Sequence, residues 1–317
     1  MAINLDKPQL WKEDIARSVD LYNEWFLKFA PRTYRDERVK ATKEVEAMLD
    51  RTSHLRNLTP GDLRNQPSLL FALRMCTAPP IARDRLVGLA AVSKYLVNSM
   101  ELKHRLPPGM NSTTVEANLR KIAEMILRLA DIDIFLWLGE DREPTEQEVY
   151  RAATIVADRL CGANADPIVR NAQEKRQLRK IKIWLEGRGY TDMTGKIPLD
   201  KLRPGMFGLR LNVSGLKESH EPVNIPVDTV AMPLKAKAGE LPLMIEAKSA
   251  GDFTNVNKRR KEEATKVAQL RRKHGKGVRY ILFLCGYFDS GYLGYEAAEG
   301  IDWVWEHRMS DLARFGL

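Results

Sequence analysis

The chain has 317 residues, a net charge of +9 and 44% hydrophobic residues. That length and apolar content exclude wholesale disorder and allow two domains, or one with a large appendage. The excess of Lys and Arg favours a polyanionic partner without specifying which.

Met1 to Trp11 contains Lys and Asp and no apolar run, so neither a signal peptide nor a transmembrane helix is expected there. Cys76, Cys161 and Cys285 lie far apart with no CxxC pair, which argues against a zinc site and against a disulfide framework. Reduced thiols in a cytoplasmic protein, with no membrane partner, are the simple expectation.

The N-terminal half reads as helical. Good helix formers dominate Asp36 to Leu49, with Val39, Val45 and Leu49 among the apolar positions. Thr59 followed by Pro60 starts a helix, and another covers Pro67 to Met75. After the break at Thr77-Ala78-Pro79-Pro80, Ile81 to Leu102 has the rhythm of a helix-turn-helix. Ala90-Ala91-Val92 supplies small residues at the turn, and Ser93 suits the cap of a second helix, Lys94 to Leu102. Its outward face is expected to carry Lys94, Tyr95, Asn98 and Ser99, making Lys94 and Asn98 candidate DNA contacts. Two ordinary packed helices account for the same pattern.

Pro107-Pro108-Gly109 breaks the chain again. Thr114 to Leu129 is amphipathic, with Leu119, Ile122, Ile126 and Leu129 as its apolar stripe. Thr145 to Leu160 opens with Thr145 and Glu148 at capping-box spacing. Cys161 to Pro167 reads as a linker, which divides the chain into a helical domain, 1–165, with the possible helix-turn-helix at 81–102, and a second domain, 166–317.

The second domain opens with a basic helix, Val169 to Arg188, whose Lys175-Arg176 and Arg179-Lys180 pairs suit a phosphate backbone. Strands are expected at Gly208 to Val213, Val223 to Met232, Leu241 to Lys248 and Val278 to Cys285, with a basic helix, Lys258 to Lys273, between the last two. The fold class is α/β, a mixed central sheet flanked by helices beside a helical N-terminal domain.

Two of these strands carry the chemistry. Val223 to Val230 is apolar apart from Asn224, Thr229 and one carboxylate, Asp228; Leu241 to Lys248 is apolar until Glu246 and Lys248. Lys237, in the polar loop between them, is midway between positions 228 and 246. A hairpin centred there sets Asp228 opposite Glu246 on one face, and strand alternation adds Lys248. Two carboxylates so close repel unless a cation lies between them, and a hard divalent ion such as Mg²⁺ takes oxygen ligands. Such an ion activates water and stabilises phosphoryl charge, while Lys248 orients or activates the water or neutralises the developing charge. Asp228, Glu246 and Lys248 are therefore the candidate catalytic residues, the first two as metal ligands.

Pro226-Val227-Asp228 followed by Glu246-Ala247-Lys248 resembles the PD-(D/E)xK nuclease signature, with Val227 separating Pro226 from Asp228. The longer run Ile245 to Glu263 resembles the active-site region of type II restriction endonucleases. The stretches Phe283 to His307 and Thr77 to Leu89 are similar to the XamI-like group. The resemblance implies a PD-(D/E)xK core and a Mg²⁺-dependent homodimer cutting a short palindrome in double-stranded DNA. It also implies a cognate DNA methyltransferase that protects the host. The group is associated with GTCGAC.

From Lys258 to Lys276 there are nine Lys or Arg and two Glu. Lys258, Arg259, Arg260 and Lys261 are candidate phosphate contacts; a solvated helix face has the same composition. Asp252, Thr254, Asn255 and Asn257 are candidates for base readout, with helix capping as the alternative for the two asparagines. Glu174 on the basic helix is a possible addition to the metal site. The five histidines are scattered and no GxxxxGK[ST] loop occurs, which disfavours a histidine-metal nuclease and ATP-driven chemistry. Two alternatives remain: a structure-specific repair or recombination nuclease with the same core, and a non-catalytic helix-turn-helix regulator.

Overall fold

The structure, a computed structural model, describes residues 2–196, 198–253 and 256–317, and of residues 256–260 the backbone alone. In chain order the helices are α1 (Pro8–Arg51), α2 (Pro60–Asn65), α3 (Leu69–Met75), α4 (Arg83–Ala90), α5 (Lys94–Lys103), α6 (Ser112–Arg128), α7 (Leu136–Glu140), α8 (Glu146–Glu186), α9 (Val256–His274) and α10 (Ser290–Ala298). The strands are β1 (Thr191–Asp192), β2 (Met206–Leu216), β3 (Pro222–Ala231), β4 (Leu243–Ala250), β5 (Arg279–Gly286) and β6 (Asp302–Trp305).

The chain divides into two compact units, Met1–Phe29 with Arg170–Leu317, and Ala30–Val169. The expected linker at Cys161 to Pro167 is helical instead, inside the uninterrupted α8. Gly162 and Pro167 signal a break in isolation, but Leu160, Cys161 and Ala165 are buried in the helical unit, and that packing overrides propensity. Likewise, α1 continues through Pro31.

In the unit Ala30–Val169, helices α2 to α7 enclose an apolar core that includes Leu73, Leu96, Leu119, Ile122 and Trp137. Thr59 forms a capping box with Asp62 at the start of α2. Arg74 of α3 makes a bidentate pair with Glu101 of α5, Nε to Oε1 at 2.5 Å and Nη2 to Oε2 at 2.8 Å, with both side chains buried. Helices α4 and α5 are joined by a tight turn with Ala91 in the left-handed region. The outward face of α5 is narrower than expected: Ser99 is buried, its hydroxyl donating to the Arg105 carbonyl at 2.8 Å.

In the other unit, the strands run in the order β1-β2-β3-β4-β5-β6. The pairs β2–β3 and β3–β4 are antiparallel, while β1–β2, β4–β5 and β5–β6 are parallel. Successive residues of β4 face opposite sides, as strand geometry requires. Leu243 and Ile245 pack with Ile181 and Leu185 of α8, whereas Met244 packs in the core that holds Val267 and Leu270 of α9. The site-bearing strand is thus sandwiched between two helices.

Met1–Phe29 belongs to this unit because it is tied to the sheet. Asp302 of β6 accepts the backbone amides of Ile3 (2.6 Å), Asn4 (3.1 Å) and Leu5 (3.1 Å). Trp11 meets Trp303 edge-on with ring centroids 5.5 Å apart, and the Gly286 amide donates to the Ser18 hydroxyl at 2.8 Å. Asp302→Ala leaves those three amides without their acceptor. It is expected to lower the unfolding free energy by about 2–4 kcal/mol, read from denaturant titration, with Asp302→Asn losing less.

Candidate active site

The β3–β4 ladder pairs Ala231 with Leu243, Val230 with Met244 and Thr229 with Ile245. Continued by one step, this register sets Asp228 across from Glu246, as the hairpin reading expects. There the ladder ends. The Ala247 amide, which has no β3 carbonyl to meet, donates to Asp228 Oδ2 at 2.8 Å. The Asp228 side chain has replaced the backbone in the ladder.

Glu246 and Lys248 lie two apart on β4 and face α9. Lys248 Nζ is 3.2 Å from Glu246 Oε1 and 2.7 Å from Glu263 Oε1. Lys266 Nζ reaches Glu246 Oε1 at 2.5 Å. Glu263 and Lys266, both on α9, were not singled out by sequence reasoning. They sit in a run whose charge suggests a solvated or DNA-facing surface, yet Glu263 is fully buried. Their spacing of three, which puts both on one helix face, was the available signal.

Electrostatics follow from burial. Desolvation first, then the neighbouring Glu246, push the Asp228 carboxyl up to about 6, against the Ala247 hydrogen bond and Lys248, which lower it. For Lys248 burial acts to lower the pKa, but Glu246 and Glu263 outweigh it and hold the ammonium above its ordinary value. Behind them, burial and then Glu263 push Glu296 of α10 up to about 8, so it carries a proton at neutral pH.

The donor set fits a hard divalent cation. Glu246 Oε2 is buried with no hydrogen-bond partner among the described residues, beside the half-buried Asp228 carboxyl, which is costly to ionise alone. Among the described residues no group of three or more His, Cys, Asp and Glu is arranged to hold a metal. Two carboxylates are a normal protein contribution for Mg²⁺, which keeps waters and takes phosphate oxygens. Glu174 is close enough to raise the Asp228 pKa, and its Oε1 pairs with Arg210 Nη2 at 2.6 Å.

The other expected contacts are dispersed. Asp252 is exposed just beyond β4, and Lys261 is exposed on α9. Thr254 and Asn255 lie outside the described residues, as do the side chains of Asn257, Lys258, Arg259 and Arg260. Lys94 and Asn98 lie in the other unit: Lys94 pairs with Asp84 at 3.0 Å, and Asn98 Oδ1 is 3.5 Å from Arg83 Nη1. Beyond β5, α10 is capped by Asp289, and its Tyr292 is buried. His307 is structural, set beside Asp14 at 3.2 Å and stacked on Trp305.

A family model for the XamI restriction endonuclease matches residues 53–305. The chain belongs to the XamI restriction endonuclease family. The type II restriction enzyme SalI of Streptomyces albus G is 54% identical over 318 residues, covering 99% of each chain. This XamI-family member is accordingly a type II restriction endonuclease, a site-specific deoxyribonuclease, and not a non-catalytic regulator. The crystal structure of protein VC1899 from Vibrio cholerae is 11% identical with a TM-score of 0.29, covering 78% of this chain and 55% of that one. A likeness at that score carries no argument about fold. No helix among the described residues is long and apolar enough to cross a membrane.

The raised Asp228 pKa yields a stability test. A carboxyl whose folded pKa lies above its unfolded value costs stability as pH rises from the unfolded pKa through about 6. In metal-free protein near neutral pH, Asp228→Asn is expected to raise the unfolding free energy by about 1–3 kcal/mol, with the gain vanishing below about pH 4. Mg²⁺ is expected to raise the melting temperature of the wild type and not of the variant. Calorimetry across that pH range checks both.

Proposed function

We propose that this restriction endonuclease hydrolyses both strands of duplex DNA at a short palindrome with Mg²⁺, using Asp228, Glu246 and Lys248 as the centre of a PD-(D/E)xK core. The observation that carries the reading is the buried Glu246 Oε2, without a hydrogen-bond partner among the described residues, beside Asp228, with Lys248 Nζ 3.2 Å from the other Glu246 oxygen. The topology supports it: an antiparallel meander, β2–β3–β4, precedes α9 and a parallel β5, with α8 ahead of the meander.

Asp228 and Glu246 would hold the magnesium ion, which supplies Lewis acidity toward the scissile phosphate and lowers the pKa of a bound water. Asp228 presents one carboxylate oxygen, since Oδ2 is occupied by the Ala247 amide. Glu246 presents Oε2, since Lys248 and Lys266 hold Oε1. Lys248, kept protonated by two carboxylates, donates hydrogen bonds and stabilises the negative charge of the pentacoordinate phosphorus. It therefore acts as an electrostatic catalyst and not as the base. Glu263 holds its ammonium from the far side.

A two-fold symmetric site in DNA is matched by a two-fold homodimer, which would bring one such centre to each strand. Cytoplasmic action on unmodified DNA requires a methyltransferase of the same specificity to protect the host. Asp252, Lys261 and the N-terminal part of α9 (Asn257 to Arg260) are the proposed DNA-facing residues, because they follow directly from the end of β4 that carries Lys248. Lys94 and Asn98 remain candidate contacts from the other unit.

Lys248→Ala is expected to lower cleavage by at least about 10³-fold while leaving affinity for duplex DNA within a few-fold. Single-turnover digestion and a binding titration measure the two, and wild-type cutting by the variant sinks the assignment. A plasmid with one GTCGAC site is expected to be linearised with Mg²⁺ and left intact with a chelator. A smear instead of a discrete product points to cleavage without sequence choice.

A further inference from the structure

Arg210 stands opposite Asp228 in the β2–β3 ladder, bracketed by the pairs Leu209–Thr229 and Leu211–Val227. Its φ is +51°, in the left-handed region that non-glycine residues adopt at a cost. The turn inverts the strand. Leu209 packs in the core on the α8 side and Leu211 in the core on the α9 side, although residues two apart on a strand normally share a face. β3 inverts at the same level, with Val227 in the core that holds α9 residues and Ala231 in the core that holds α8 residues.

The backbone strain therefore falls on the residue facing the proposed metal ligand. The Arg210 side chain is 56% exposed and its guanidinium rests on Glu174. Both border, with Asp228 and Lys175, an open cavity of about 520 Å³. A guanidinium offers five donors in a planar fork that fits phosphate oxygens, and the single Glu174 contact leaves most of them available. Strain retained at one exposed, cationic side chain beside a reaction centre is the pattern expected of a positioned ligand contact.

We propose that Arg210 is a phosphate-binding residue of the cleavage reaction, donating to a non-bridging oxygen of the DNA phosphate attacked at Asp228, with Glu174 fixing the guanidinium before DNA arrives. The inference rests on the assignment of Asp228, Glu246 and Lys248 above. The competing account is that the left-handed turn at Arg210 serves only the inversion of β2.

Glycine and asparagine both accept the left-handed conformation, so Arg210→Gly and Arg210→Asn keep the inversion and delete the guanidinium. Each is compared with the wild type by melting temperature, by single-turnover cleavage of a plasmid the wild type cuts, and by the salt dependence of duplex binding without metal. The expected result is an unchanged or higher melting temperature, cleavage slowed by about 100-fold or more, and a log–log salt slope shallower by about 0.9, the loss of one phosphate contact. Wild-type cleavage by either folded variant overturns the proposal. Lost cleavage with an unchanged salt slope overturns it as well, because Arg210 then touches no phosphate. Lys248→Ala run in parallel separates the two levels: if it cuts normally, the underlying assignment fails whatever Arg210 does.

Discussion

The parting of β3 from β4 after Thr229 and Ile245 is the constraint on which the site depends. While two strands remain paired, their backbones satisfy each other and no side chain is needed. Where they part, the Ala247 amide must find an acceptor, and Asp228 supplies it. On the other side of β3, toward α8 and β2, Asp228 borders an open cavity together with Glu174 and Arg210. A carboxylate recruited to mend a ladder is thus held at the end of the β3–β4 pairing, which under the proposed function would give the preorganisation that metal-assisted hydrolysis demands.

Buried charge is the second organising fact. Glu246, Glu263 and Glu296 are all buried, and Lys248 and Lys266 are the cations that reach them. Three carboxylates against two ammonium groups leave one negative charge in excess, and Glu296, pushed to about 8, removes it by keeping its proton. Within this cluster the charges then balance, and Asp228, raised by burial and by Glu246, stands outside that balance; under the proposed function a divalent cation would supply its counter-charge.

Helix α9 shows how one segment serves two purposes. Its exposed positions include Lys261, Arg271, Arg272 and Lys273, consistent with its strongly basic composition. Its inward face contributes Val267 and Leu270 to the core and Glu263 and Lys266 to the charge network. The helix that packs behind Glu246 and Lys248 also presents cations to solvent, and under the proposed function those cations would attract the DNA.

Much of this was legible in the residues. The isolated Asp228 and Glu246 in two apolar runs, and a polar loop centred on Lys237, pointed to the hairpin register, and the observed β3–β4 pairing follows it. Strands β2 to β5 and the basic helix after β4 were likewise readable from local patterning, whereas β1 and β6 were not anticipated. What local patterning cannot encode is which distant groups meet. Glu263 looked like one more charge in a basic run, Arg210 lay unremarked in the expected strand Gly208 to Val213, and Cys161 to Pro167 looked like a linker. Tertiary packing decided all three: burial turned Glu263 into the partner of Lys248, strand pairing set Arg210 opposite Asp228 in register with its guanidinium on Glu174, and the core around Leu160 and Ala165 kept α8 continuous. Likewise only the fold joined Met1–Phe29 to the sheet, through Asp302, almost three hundred residues away in sequence. Periodicity reports the near environment of a residue, whereas desolvation and long-range pairing, which set charge states and complete the site, exist only once the chain has closed on itself.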